Sequence, residues 1–147
     1  MRVGIIACRH YWNTGCPGYG SHVLCFQSVA EKKGPLGQFQ GAQIITLRPC
    51  PGCPGDQLSS LVADMVAKDR IQVIALASCL FLGDHCPAAA DICRELEKSF
   101  AQPVLRGTYI AAEKAVQYRT VRRQPPGIPS VSECLRRLST LRYLASL

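Results

Sequence analysis

A three-layer α/β/α domain with a small, mostly parallel sheet is the fold that this 147-residue sequence predicts. Three observations predict it. Val3 to Ala7 and Ile71 to Ala77 are nearly unbroken apolar runs of strand length, as in strands covered on both faces. Helical spacing follows the strand candidates, most clearly at Leu58, Leu61, Val62, Met65 and Val66. Strand and helix alternate along the chain, the order that parallel crossover connections require.

The first strand, Val3 to Ala7, ends at Cys8. A loop over Arg9 to His22 follows, rich in Gly, Pro and polar residues yet carrying Tyr11, Trp12 and Tyr19, so it is expected to cover something. Val23 to Lys33 reads as a helix with Leu24, Phe26 or Gln27, and Ala30 facing inward, stopped by Gly34-Pro35. After a loop with Phe39 packed inward, Ala42 to Leu47 supplies the second strand. The turn Cys50-Pro51-Gly52-Cys53 comes next, with Pro54 as an early helical residue and a helix from Gly55 or Asp56 to Lys68.

Ile71 to Ala77 is apolar enough for a central strand and runs into Ser78-Cys79. The segment Leu80 to Cys86 forms a second loop, and Pro87 opens a helix whose inner face is Ala89, Ile92, Cys93, Leu96 and Phe100. Val104 to Arg106 is a short fourth strand. This order suits a flavodoxin-like or related arrangement. A flavin-phosphate loop after the first strand would be richer in Ser, Thr and Gly, whereas this loop holds cysteine and aromatics, which makes flavin binding secondary.

With 48% apolar and 18% charged residues, the chain supports one core. Residues 1–107 are expected to form the α/β domain, and 108–147 a basic helical extension packed on that domain or on a partner subunit of a homo-oligomer. There is no run of 18 apolar residues, and the N-terminus reads as a strand rather than a secretory signal, so a cytoplasmic protein without a membrane span is expected. The net charge of +7 is concentrated late: residues 94–147 hold ten Lys or Arg against four Asp or Glu. Arg119, Arg122, Arg123, Arg136, Arg137 and Arg142 could face phosphates, but no nucleic-acid-binding signature organises them. A solvated basic face, or one that meets an acidic partner, is the simpler account.

Nine cysteines in a chain expected in a reducing compartment point to metal ligation, redox chemistry or buried packing rather than to a crosslinked scaffold. Carboxyl ends of parallel strands joined by right-handed crossovers lie along one edge. Cys8, the pair Cys50 and Cys53, and Cys79 are therefore expected to converge there, with Cys16 and Cys86 returning from the loops. Converging thiols suit an iron-sulfur cluster or zinc, in electron transfer or redox sensing. His85, beside Cys86, is a further candidate ligand. Cys25, Cys93 and Cys134 fit helices as packing residues, and Arg9 and Arg48 stand at strand ends, where they could balance thiolate charge.

The competing chemistry is metal-free thiol-disulfide exchange at Cys50 and Cys53 with a redox partner protein, helped by a following helix N-terminus. A third reading is a non-catalytic interaction protein that uses its basic C-terminal segment. No Ser-His-Asp order, paired glutamates or Walker loop defines a hydrolytic site, and enzymatic activity is left open.

Several motifs together resemble the CGGC-domain family: Gly4-Ile5-Ile6-Ala7-Cys8, Cys16-Pro17-Gly18, Cys50-Pro51-Gly52-Cys53, Val73-Ile74-Ala75-Leu76-Ala77-Ser78-Cys79 and Cys86-Pro87. The likeness runs over roughly residues 2 to 107 and implies a small α/β domain with metal-binding function. One departure stands out, Pro51 in place of the first motif glycine. Proline fixes φ and removes an amide donor, while the spacing of the two cysteines is kept.

Overall fold

The computed structural model describes residues 1–16, 22–82 and 86–112. Among them, four strands form one entirely parallel sheet: β1 (Arg2–Ala7), β2 (Gln43–Pro49), β3 (Val73–Leu76) and β4 (Val104–Arg106), in the order β2-β1-β3-β4. The helices are α1 (Val23–Ala30), α2 (Gly34–Gly37), α3 (Leu58–Asp69) and α4 (Ala89–Ser99). None of the described helices is long and apolar enough to cross a membrane.

Each strand follows the last through a helix, so the strand order fixes the layering. The step from β1 to β2 runs one way along the sheet, and the steps from β2 to β3 and from β3 to β4 run the other way. With right-handed crossovers this puts α1 and α2 on one face and α3 and α4 on the opposite face. The central strands are accordingly covered on both sides: Val3, Ile5, Ile6, Ile74, Ala75 and Leu76 are all 0% exposed. Gly4 lets α3 approach β1, since a Cβ there would stand 2.6 Å from Met65 Cε and 2.8 Å from Ile71 Cδ1.

Reversal of the crossover direction between β1 and β3 makes their carboxyl ends the switch point of the sheet, where open α/β folds place their crevice. Both strands there pass directly into single 3-10 turns, Arg9–Tyr11 after β1 and Ser78–Leu80 after β3.

Three local expectations are corrected. In α1 the buried residues are Cys25 and Ser28, while Phe26 is 47% exposed and Ala30 is exposed. Cys25 meets the hydroxyl of Thr108 at 3.4 Å, and Ser28 Oγ donates to Cys25 O at 2.7 Å within the helix. Gly34-Pro35 does not stop α1, which ends at Ala30 with Lys32 at φ 54 just beyond it, but starts the short α2, with Leu36 rather than Phe39 as its buried anchor. Finally, α3 begins at Leu58, with Pro54 outside it; Gly55 takes φ +110 and sits where a Cβ would be 2.9 Å from Ile92 Cδ1, so this glycine serves a close approach to α4 and not a helical turn.

Candidate functional site

The edge at the switch point is built by the strand ladders running out. Ala77 N donates to Ile6 O at 2.9 Å, and from the other neighbour Cys50 N donates to Ala7 O at 2.8 Å. At the next rung the pattern changes: Ala77 O is taken by Leu80 N of the 3-10 turn at 3.0 Å. Cys8 N donates instead to Cys79 Sγ at 3.2 Å, so a sulfur occupies the place of a backbone carbonyl. Cysteines from the ends of three parallel strands, Cys8, Cys50 and Cys79, thus stand together, 5%, 6% and 3% exposed.

Cys50, in the Cys50–Cys53 turn, and Cys86, before α4, interact electrostatically with Cys8. Cys50 Sγ donates to Gly52 O at 3.7 Å within the turn, and Cys53 is exposed. Cys86 is half-buried, its carbonyl accepting Ala89 N at the start of α4 at 3.2 Å. Burial pushes the Cys86 thiol up to about 11, with Cys53, Cys8 and Cys50 raising it further. Burial also raises Cys50, as do its neighbours Cys8 and Cys53, against the pull of Arg9.

On the inner side lies a sulfur and hydroxyl cluster. Cys16 Sγ is 2.6 Å from Tyr109 OH, and Cys25 Sγ is 3.4 Å from Thr108 Oγ1. Burial pushes Cys79 up to about 12; the hydrogen bond from Cys8 opposes this, and Cys16, Cys25 and Cys8 add to it. Burial likewise raises Tyr109, helped by its hydrogen bond to Cys16 and by the charges of Cys16, Cys79 and Cys25. Cys8 thus meets Cys79 through its backbone N–H and interacts electrostatically with Cys50 and Cys86.

Of the site residues expected from sequence, Cys8 and Cys79 meet through the N–H to sulfur contact, and Cys16 meets Tyr109. Cys50, Cys53 and Cys86 interact electrostatically with one another, and Cys50 and Cys86 also with Cys8. His85 falls outside the described residues, as do the arginines from Arg119 onward and Cys134. Arg48 does not turn to the thiols: its guanidinium bridges Asp64 at 3.3 Å and Asp69 at 2.8 Å on α3. Arg9, by contrast, is close enough to oppose the rise in Cys50. Sequence reasoning missed Tyr109, Thr108 and the part played by Cys25. Their separations from their partners, 93 residues for Tyr109 and Cys16 and 83 for Thr108 and Cys25, leave no local signal.

The donor chemistry fits a soft metal, because the gathered groups are thiols and their backbone surroundings can supply N–H to sulfur. The arrangement is less complete. Among the described residues no three His, Cys, Asp or Glu side chains are disposed to hold a metal ion together. Ligation would require side-chain rotation and the loss of thiol protons to the metal.

The CGGC-domain family model matches residues 2–109 of the chain. An uncharacterized protein of Methanocaldococcus jannaschii is 31% identical over 116 residues, covering 78% of this chain and 91% of that protein. No solved structure matches the chain.

Proposed function

The chain belongs to the CGGC-domain family, and from that premise we propose that it binds a soft metal ion or an iron-sulfur cluster through the cysteines at its sheet edge. Cys8, Cys50 and Cys79 would be the donors set by the strand ends, and Cys16, Cys53 and Cys86 those brought by the adjoining loops; His85 is a further candidate. The observation that carries the reading is the Cys8 N to Cys79 Sγ contact of 3.2 Å at the switch point. A backbone N–H aimed at a cysteine sulfur stabilises the thiolate that ligation demands, and it costs no rearrangement of the strands.

The chain's own part is to bring sulfur from distant positions to one sheet edge and to keep Cys8, Cys16, Cys50 and Cys79 largely from water. When bound, an iron-sulfur cluster would supply one-electron transfer, and zinc would supply a structural or sensory link. Anaerobic purification followed by metal and acid-labile sulfide analysis, with ultraviolet-visible spectra, tests the proposal. Iron with sulfide selects the cluster, and zinc without sulfide selects a mononuclear site. Neither metal nor sulfide, even after reconstitution, rejects both.

Metal-free exchange at Cys50 and Cys53 is the second reading, favoured by the exposure of Cys53 beside a buried Cys50. It is the weaker one. The N-terminus of α3 is at Leu58, five residues beyond Cys53, so the helix field that lowers a thiol in many exchange sites is displaced from this pair. Burial moves Cys50 in the opposite direction.

A further inference from the structure

We propose, building on the metal-binding reading, that Tyr109 is a positioning residue for Cys16: its phenol holds the Cys16 sulfur within the thiol group and hydrogen-bonds that sulfur when a soft metal takes it. The contact of 2.6 Å between Cys16 Sγ and Tyr109 OH is the starting observation. The surrounding structure shows that the contact is built.

Tyr109 is carried by the turn after β4, and that turn is fastened to the one holding Cys79. Ser78 Oγ accepts from Thr108 N at 2.9 Å and from Ile110 N at 3.1 Å, and donates to Ile110 O at 2.9 Å. From the opposite direction, Leu36 N at the start of α2 donates to Thr108 O at 3.0 Å. Gly34, at φ +68, packs so closely that a Cβ would stand 2.6 Å from Tyr109 Cα. The backbone of Tyr109 is thus held from the β3 side and from the α2 side, and its hydroxyl ends at a buried sulfur. A phenylalanine ring would fill the same volume, so the sulfur is what gives the hydroxyl a purpose.

The chemistry follows from the charge change at sulfur. As a metal–sulfur bond forms, Cys16 gives its proton to solvent and its sulfur becomes a thiolate. The phenol O–H beside it can then donate to that charge. Outer-shell partners of this kind orient ligands, and their loss commonly weakens metal binding by about 10- to 100-fold.

The test is a cadmium(II) titration of the reduced, full-length chain, read by thiolate-to-metal ultraviolet absorption, for wild type, Tyr109→Phe, Cys16→Ser and the double variant. Tyr109→Phe is expected to weaken binding about tenfold, with far-ultraviolet circular dichroism unchanged. In the Cys16→Ser background the same substitution is expected to change nothing further, because the sulfur that would ligate the metal is gone. Tyr109→Met, flexible and without a hydroxyl, should show the same loss and covers the case in which Tyr109→Phe does not fold. Wild-type affinity in Tyr109→Phe, or an equal loss in the Cys16→Ser background, overturns the assignment while leaving the metal reading intact. A wild-type chain that takes up no cadmium overturns both.

Discussion

Cys8 donates its backbone N–H to the sulfur of Cys79 across 3.2 Å, joining two positions 71 residues apart at the point where the sheet changes crossover direction. The bond replaces a ladder rung that β3 gives up as it turns into its 3-10 segment. It makes Cys79 part of the backbone hydrogen-bonding of the fold as well as a candidate ligand, and the two roles can be separated by substitution.

Cys79→Ala leaves Cys8 N buried without an acceptor and removes a side chain that is 3% exposed. An unsatisfied buried donor costs about 1–3 kcal/mol. The reduced, metal-free variant should lose about that much in urea denaturation. Stability equal to wild type would show that the N–H finds water or another partner, and that sulfur is not structurally required there.

Thiol burial sets a pH dependence whose sign is opposite to acid unfolding. Cys79 lies at about 12, and Cys86 and Cys93 at about 11, above an ordinary thiol value of 9.0. Below that ordinary value both folded and unfolded chains keep these protons, and the contribution to stability is fully present. Between the ordinary and the raised values the unfolded chain has lost protons that the folded chain retains, so stability falls as pH rises. The urea midpoint of the reduced, metal-free protein should therefore decline from about pH 9 upward, less steeply in Cys93→Ala. A midpoint that rises over this range contradicts the assignment.

Arg48 provides a contrast with the site. Its ion pairs to Asp64 and Asp69 tie the end of β2 to α3, with the arginine side chain 32% exposed. Partly exposed pairs contribute little, so Arg48→Met should cost no more than about 1 kcal/mol. Metal or cluster content per chain should be unaltered. A large loss of metal in a stably folded Arg48→Met chain would mean that its charge reaches the thiols after all.

What could be read from the residues follows from how local each cause is. The runs at Val3–Ala7 and Val73–Leu76 need no partner to be recognised as covered strands, and the stripe Ala89, Ile92, Cys93 and Leu96 repeats within a single helix. Strand ends then place Cys8, Cys50 and Cys79 on one edge by topology alone. The inward face of α1 was not legible, because the partner of Cys25 is Thr108 in the turn that follows β4, 83 positions along the chain. The late start of α3 has the same character: Gly55 answers to Ile92, 37 positions along the chain, and the neighbouring residues give no sign of it. Tyr109, between Thr108 and Ile110, carries no local sign of a role at the site. Only the clamp formed by Ser78, Thr108 and Ile110 brings its hydroxyl to Cys16.

That clamp has a second support whose removal can be measured. At Gly34 the backbone adopts φ +68 and lies against Tyr109, so Gly34→Ala adds two costs. A left-handed conformation costs a non-glycine residue about 1–2 kcal/mol. The clash with Tyr109 Cα at 2.6 Å is with backbone, which cannot swing aside as a side-chain tip can, and overpacking of this kind costs about 1–3 kcal/mol. Gly34→Ala should accordingly lose more than about 2 kcal/mol in urea denaturation, whereas Gly41→Ala, at the same φ but with open space around it, should show only the conformational part. The difference between the two variants isolates the contact with Tyr109. If they are equally destabilised, Gly34 does not brace the Tyr109 turn, and the placement of the phenol must rest on Ser78 and Leu36 alone.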